Sequence, residues 1–284
     1  MLLKEFRNHF NKELSTVFPQ TEIDSFFFLL LEVRFHLKRI DIALNPEMEL
    51  SETKLEFLTN ALTRLKQQEP VQYILGKTEF YGLPFKVTKD TLIPRPETEE
   101  LVDWISTEVD TDTFTKAVSV LDIGTGSGCI AISLAKNIPN INLFAIDISK
   151  EALKIAEINA QKNSTQIEFI QADILNTDKL PRQFDIIVSN PPYIRELEKI
   201  EIQPNVLENE PHLALFVADN NPLIFYSKIA DLAKIHLKDN GLLFFEINQY
   251  LGKETVEMLS DKGYTTELKK DLFGNDRMTK STLK

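Results

Sequence analysis

Three glycines in five residues, set between two apolar runs, constrain this chain more than any other feature in it. Val118 to Ile123 reads as a strand. Gly124-Thr125-Gly126-Ser127-Gly128 follows at once, Ile130 to Lys136 has the spacing of a helix, and Ile141 to Ile146 reads as a second strand. Strand, tight turn, helix and strand in that order predict a mostly parallel sheet with helices on its faces. Glycines permit the tight turn and let a ligand approach the backbone closely. Asp147 closes the second strand, 19 residues after Gly128. A carboxylate there can accept hydrogen bonds from both hydroxyls of a ribose, so turn and acid together predict a nucleoside site. The spacing G-x-G-x-G differs from the dinucleotide pattern G-x-G-x-x-G, and the turn lacks the lysine of a phosphate-binding P-loop.

The alternation continues. Ser149 is placed to cap a helix running through Ala160. Ile167 to Ile170, Phe184 to Val188 and Leu242 to Ile247 read as further strands, and Tyr264 to Leu268 with Met278 to Leu283 as two antiparallel edge strands. The fourth strand ends in Ser189-Asn190-Pro191-Pro192-Tyr193-Ile194. Proline cannot continue a hydrogen-bond ladder, and it pushes the residue before it to extended geometry. Asn190 and Pro191 are therefore held extended and rigid at a strand end, the usual ligand position in an open α/β sheet.

Residues 1–75 contain no glycine and read as a small helical bundle. Leu55, Leu58, Leu62 and Leu65 line one helix face behind the N-cap Ser51, and Phe26 to Ile40 reads as another helix, ended by Asn45-Pro46. Residues 76–91 read as a hairpin connecting to residues 92–284. The net charge is −11, and residues 1–75, with 9 Lys/Arg against 11 Asp/Glu, are near neutral. An acidic chain argues against phosphate-driven nucleic-acid binding. The single cysteine excludes an intrachain disulfide framework, and four scattered histidines give no metal-ligand spacing. With no signal-peptide core and no apolar run near the ~20 residues needed to span a bilayer, the expectation is a cytoplasmic protein that engages no membrane.

Asp122-x-Gly-Thr-Gly-Ser-Gly with an acid after the next strand resembles the class I S-adenosylmethionine-dependent methyltransferases, with their Rossmann-like, mostly parallel seven-stranded sheet. Asn190-Pro191-Pro192-Tyr193 resembles their motif for methylating planar amide or amino nitrogens. Ile93-Pro94-Arg95-Pro96-Glu97-Thr98-Glu99, Glu69 to Gly76 and Glu210-Pro211-His212-Leu213-Ala214-Leu215 narrow the resemblance to the release factor N5-glutamine methyltransferases, from about residue 60 to the C-terminus. What the resemblance implies is methyl transfer from S-adenosylmethionine, leaving S-adenosylhomocysteine, to the glutamine of the Gly-Gly-Gln loop in class 1 release factors. Gly124, Thr125, Gly126, Ser127 and Gly128 would bind the methionine portion, Asp147 the ribose, and Asp173 and Ile174 the adenine. Asn190, Pro191, Pro192 and Tyr193 would bind the glutamine, with Asn190 near both ligands. The Asn190 side-chain oxygen and the Pro191 carbonyl would grip the two N–H bonds of the amide, and Tyr193 would pack over its plane. The N-terminal helices would dock on the release factor, and the enzyme is expected to be a monomer without direct nucleic-acid binding. N6-adenine methylation, or methylation of another protein's glutamine, is the alternative.

The chain departs from the family's usual pattern at two places. Val217 to Pro222 contains no glycine, and Glu246-Ile247-Asn248 stands where Glu-Ile-Gly is usual. Asn248 is expected to keep the turn by adopting left-handed geometry. Arg95, between two prolines, is open between a structural role and one in the cofactor pocket. Cys129 opens a helix beside the glycine turn, where a thiol pKa can fall; a small buried hydrophobe is the favoured reading.

Overall fold

Leu58, Leu62 and Leu65 are buried on one side of the helix Glu52–Lys66, and Leu55 is half-buried beside them. Ser51 Oγ accepts from Lys54 N at 3.4 Å and caps that helix. The computed structural model describes residues 1–110 and 117–284. Within it residues 1–77 and 203–209 form one unit, and residues 78–202 and 210–284 another. The first unit is helical. Phe6, Phe10 and Phe27 fill its core, with the Phe10 and Phe27 rings 5.4 Å apart. Each such burial contributes on the order of 2–3 kcal/mol.

The helix expected over Phe26 to Ile40 instead spans Gln20–Phe35. His36 ends it in left-handed geometry, its N–H donating to Glu32 O and Leu31 O. A separate short helix follows at Arg39–Leu44. Arginines on either side of the break lie over aromatic faces, Arg34 over Phe57 and Arg39 over Phe28, at 5.4 and 4.4 Å.

The second unit carries the sheet. Its strands are β1 (Val118–Ile123), β2 (Ile141–Asp147), β3 (Ile167–Gln171), β4 (Phe184–Ser189), β5 (Leu237–Glu246), β6 (Tyr264–Lys270) and β7 (Asp276–Leu283). Their order across the sheet is β6-β7-β5-β4-β1-β2-β3, with only β7 antiparallel to its neighbours. β1 is buried throughout, as a strand covered on both faces must be. β7 is not an edge: it lies between β5 and β6, and β6 alone is outermost there. β5 begins five residues before the expected Leu242. Asn240 takes a left-handed φ of 60°, and the pairing with β4 slips between Phe184 and Ile186. The hairpin strands Lys77–Phe80 and Leu83–Lys86 pair with each other, and Phe80 and Phe85 are buried in the core of this second unit.

The chain leaves β1 for β2 on one side and reaches β4 on the other, so the strand order reverses at β1. In an open sheet the crevice beyond the carboxyl ends at such a reversal is where a ligand fits. Among the described residues no helix is long and apolar enough to cross a membrane.

Candidate functional site

The glycine turn begins where β1 ends. Gly124 N and Thr125 N both donate to Ile146 O, at 2.8 and 3.0 Å, which folds the turn over the end of β2. Gly124, Gly126 and Gly128 have φ of 75°, 56° and 82°. At Gly128 a Cβ would stand 3.0 Å from Ile132 Cδ1 and 3.2 Å from Ala156 Cβ, so both conformation and space require glycine. Asn159, fully buried, fastens the turn from behind. Its Nδ2 donates to Ser127 O and Lys86 O, and its Oδ1 accepts from Lys86 N.

Asp147 holds the turn from the front. Oδ2 accepts from Gly126 N at 2.8 Å and Oδ1 from Ser149 N at 2.9 Å. Ser149 Oγ in turn caps the helix Lys150–Lys162 through Ala152 N. A carboxylate offers about four lone-pair positions, so each oxygen keeps acceptor capacity toward the cleft. Burial raises the Asp147 pKa, and the hydrogen bonds from Ser149, Gly126 and Ile148 pull it back.

A cleft of about 440 Å³ opens beside these groups. Gly124, Gly126, Asp147, Asp173, Ile174, Asn190 and Pro192 line it. Thr125, Ser127 and Gly128 face away and are buried; they shape the turn without reaching the cleft. Pro191 and Tyr193 are also absent from the lining. Tyr193 does not lie over the cleft: its hydroxyl donates to Glu246 Oε1 at 3.1 Å. Burial first, then the Glu246 charge, raises the Tyr193 pKa, which keeps that proton in place.

Asn190 sits at the junction. Ser189 Oγ donates to Ile123 O at 2.7 Å and locks the end of β4 to that of β1. Asn190 Nδ2 donates to Thr98 Oγ1 at 3.4 Å, and Thr98 Oγ1 donates to Glu246 Oε2 at 2.6 Å. Thr98 and Glu246 are 2% and 1% exposed. Neither was singled out from sequence. Both stand inside motifs, but only the three-dimensional path joins a helix start to the end of β5.

Asn248 is not left-handed. It is buried, and its side chain replaces a turn device with hydrogen bonds. Nδ2 donates to Tyr193 O at 2.9 Å and to Glu198 Oε2 at 2.8 Å, and Oδ1 accepts from Tyr250 N at 2.9 Å. It therefore tethers the chain just after the two prolines. The segment 217–222 shows no positive φ, which explains why it needs no glycine. Phe216–Val217 instead pairs with Ile194–Arg195.

Arg95 does not line the cleft. It forms an ion pair with the carboxylate of Glu210, a side chain 1% exposed that also accepts from Ile93 N at 3.1 Å. Removing the guanidinium would strand a buried carboxylate. Arg95→Ala is expected to cost about 3 kcal/mol, at the low end for a buried pair because Arg95 itself is partly exposed. A urea midpoint equal to wild type would show that the pair contributes nothing net. Cys129 is half-buried, and burial pushes its thiol up to about 12, so the depressed thiol pKa does not arise. Among the described residues no cluster of His, Cys, Asp and Glu is placed to hold a metal ion.

Asp122 is wholly buried beneath the turn, and its Oδ2 accepts from Thr125 Oγ1 at 2.6 Å. Burial pushes its carboxyl up to about 7. Between an ordinary aspartate value of about 3.9 and that pH, the folded chain holds a proton that the unfolded chain has released. Stability should therefore fall as pH rises through this window and level off above it. Asp122→Asn should remove the Asp122 share of the slope, leaving that of the other buried carboxylates, Asp147 and Glu246. Between pH 5 and 7 wild type should lose on the order of 2–3 kcal/mol relative to the variant in denaturant titrations. Parallel curves would mean that Asp122 does not titrate there.

Two family models match the chain: the Methyltransferase small domain over residues 101–214 and the PrmC N-terminal domain over residues 5–76. The chain is 56% identical over 281 residues to the release factor glutamine methyltransferase of Flavobacterium psychrophilum, covering 99% of each. It is 43% identical to the enzyme of that name from Bacteroides thetaiotaomicron, covering 95% of this chain and 96% of that one. Among solved structures, human methyltransferase 10 domain containing protein aligns with a TM-score of 0.51 at 16% identity, over 72% of this chain and 90% of that one, a likeness of fold alone.

Proposed function

Since the chain belongs to the release factor glutamine methyltransferases, we propose that it methylates the side-chain nitrogen of the glutamine in the Gly-Gly-Gln motif of class 1 release factors. The observation that carries this is one cleft shared by a ribose-type carboxylate, a bare glycine backbone and an asparagine amide. S-adenosylmethionine fits such a cleft. Gly124 presents backbone without a side chain, Asp147 keeps free lone pairs, and Ile174 gives an apolar wall beside Asp173. When bound, S-adenosylmethionine supplies an electrophilic methyl group on a positively charged sulfur.

The chain's own residues do the rest. Asp147 accepts from the ribose hydroxyls, and Asp173 and Ile174 flank the adenine. Asn190 Oδ1 accepts one N–H of the glutamine amide and the Pro191 carbonyl the other. An amide nitrogen is a poor nucleophile because its lone pair is delocalised. Two fixed acceptors orient the nitrogen and stabilise the positive charge that develops on it, until the methylated nitrogen releases one of its two protons to solvent and becomes a neutral amide again. Pro192 bounds the site, and Tyr193, held by Glu246 and Asn248, keeps the loop rigid. Residues 1–75, as a helical domain, dock on the folded release factor away from the loop and raise the effective concentration of the glutamine.

Incubation with methyl-labelled S-adenosylmethionine tests this. Label should enter intact release factor, and not a release factor whose Gly-Gly-Gln glutamine is alanine. A short Gly-Gly-Gln peptide should react more slowly than the intact protein. Label entering DNA instead would favour adenine methylation and overturn the reading.

A further inference from the structure

An asparagine amide has two nearly isosteric ends with opposite chemistry. If Asn190 is to accept from a substrate N–H, its oxygen and not its nitrogen must face the cleft. Local backbone geometry does not decide this, since either end fits. The groups behind the amide decide it.

Glu246 closes β5 with a carboxylate that accepts at both oxygens, from Thr98 Oγ1 at 2.6 Å and from Tyr193 at 3.1 Å. Burial raises the Glu246 pKa, and the Thr98 hydrogen bond, the Arg277 charge and the Tyr193 hydroxyl pull it back toward the carboxylate form. A hydroxyl has one proton, and that of Thr98 is committed to Glu246. Toward Asn190, therefore, Thr98 can only accept. The partner it accepts from is Asn190 Nδ2, at 3.4 Å. Among the described residues no donor engages Asn190 Oδ1, and Asn190 itself lines the cleft.

We propose that Thr98 and Glu246 are positioning residues forming a one-way hydrogen-bond relay that fixes the Asn190 amide with its oxygen toward the substrate. Neither touches substrate or cofactor; both act through Asn190. The inference rests on the function proposed above, because it assigns the relay to an acceptor for an amide N–H. It adds a specificity rule. The site is polarised to take a donor, an amide or amino N–H, and to reject a substrate that presents only acceptors. A flipped amide would face a substrate N–H with its own N–H, leaving both donors unpaired in a confined site.

Four variants test the relay in the full chain with saturating S-adenosylmethionine. Thr98→Val keeps the shape but removes the hydroxyl, and should lower kcat by about tenfold or more, the scale of one oriented hydrogen bond in a preorganised site. Its KM and cofactor Kd should stay within about threefold. Thr98→Ser restores the hydroxyl and should recover most of kcat. Glu246→Gln can donate to Thr98, which frees the hydroxyl to attract Asn190 Oδ1, and should resemble Thr98→Val. In an Asn190→Ala background, Thr98→Val should cost almost nothing further, because its effect passes through the missing amide. Wild-type kcat in Thr98→Val, or an equal loss in both backgrounds, would overturn the relay. A neutron structure of the deuterated wild-type protein decides it without any substrate: two deuterons should lie on the Asn190 atom facing Thr98. Deuterons on the cleft side would sink the relay and leave the proposed function standing. Failure of wild type to methylate release factor would sink the proposed function and leave the relay to the neutron map.

Discussion

Asn190→Ala is expected to slow methyl transfer by roughly a hundredfold or more, the loss seen when one preorganised hydrogen-bonding group is removed from a developing charge. The side chain lines the cleft at the end of β4, and its amide is buttressed by Thr98, itself bonded to Glu246. Nothing else ties the prediction to cofactor binding. The glycine turn is held by Ile146 and Asp147, and the end of β4 by Ser189, none of which the substitution removes. Cofactor affinity should therefore fall much less than turnover. Single-turnover kinetics separate the two quantities: a variant that binds cofactor normally and reacts at the wild-type rate would exclude Asn190 from the transition state. Asn190→Asp offers a sharper contrast. It keeps an acceptor toward the cleft but cannot donate to Thr98, and it places a second carboxylate behind the same hydroxyl as Glu246.

How much of this was legible beforehand depends on the range of the interactions. β1 and β2 are legible within a residue because each is an apolar run with a sharp end, the glycine turn after β1 and Asp147 at the close of β2. The Ser149 cap was readable for the same reason, since a cap acts over three residues. β5 was read short, because Lys238-Asp239-Asn240-Gly241 looks like a turn. Pairing with β4 draws those polar residues into the strand through a slip in register. His36 was missed as a helix end, since nothing in its neighbours marks a left-handed residue. Asn248 was read by its backbone tolerance, whereas the fold uses its side chain to bind Tyr193 and Glu198. That use exists only once residues some fifty positions apart meet.

The candidate site divides along the same line. Gly124, Asp147 and Asn190 stand at strand ends, where sequence pattern alone predicts a ligand. Thr98 and Glu246 are 148 positions apart, and no local spacing announces the hydrogen bond between them. Arg95 was left open between two roles because its partner, Glu210, lies 115 positions away. A motif shows which residues cluster in the chain. Which of them reaches the cleft, and which holds another in place, is set by packing. Thr125 stands between two lining glycines and Ser127 next to one, yet both are buried and absent from the lining.

Asp147→Ala should weaken S-adenosylmethionine binding by about ten- to a hundredfold or more. A charge-assisted hydrogen bond contributes on the order of 1.5–3 kcal/mol, which sets the first part of that range. The structure adds a second contribution. Asp147 Oδ2 also holds Gly126 N, and Oδ1 holds Ser149 N, so alanine leaves these backbone donors without their partner at the rim of the cleft. The turn would then have to be ordered by the cofactor itself, at a cost in affinity. Asp147→Asn separates the two contributions: one oxygen remains to accept, so the turn is partly held while the negative charge is gone, and its affinity should fall between those of wild type and alanine. Because burial raises the Asp147 pKa, affinity in wild type should begin to weaken on acidification above the usual aspartate range, and this dependence should vanish in the alanine variant. Calorimetry at several pH values measures all three. A folded Asp147→Ala protein that binds S-adenosylmethionine as wild type does would remove Asp147 from the ribose site and leave it as a brace for the glycine turn.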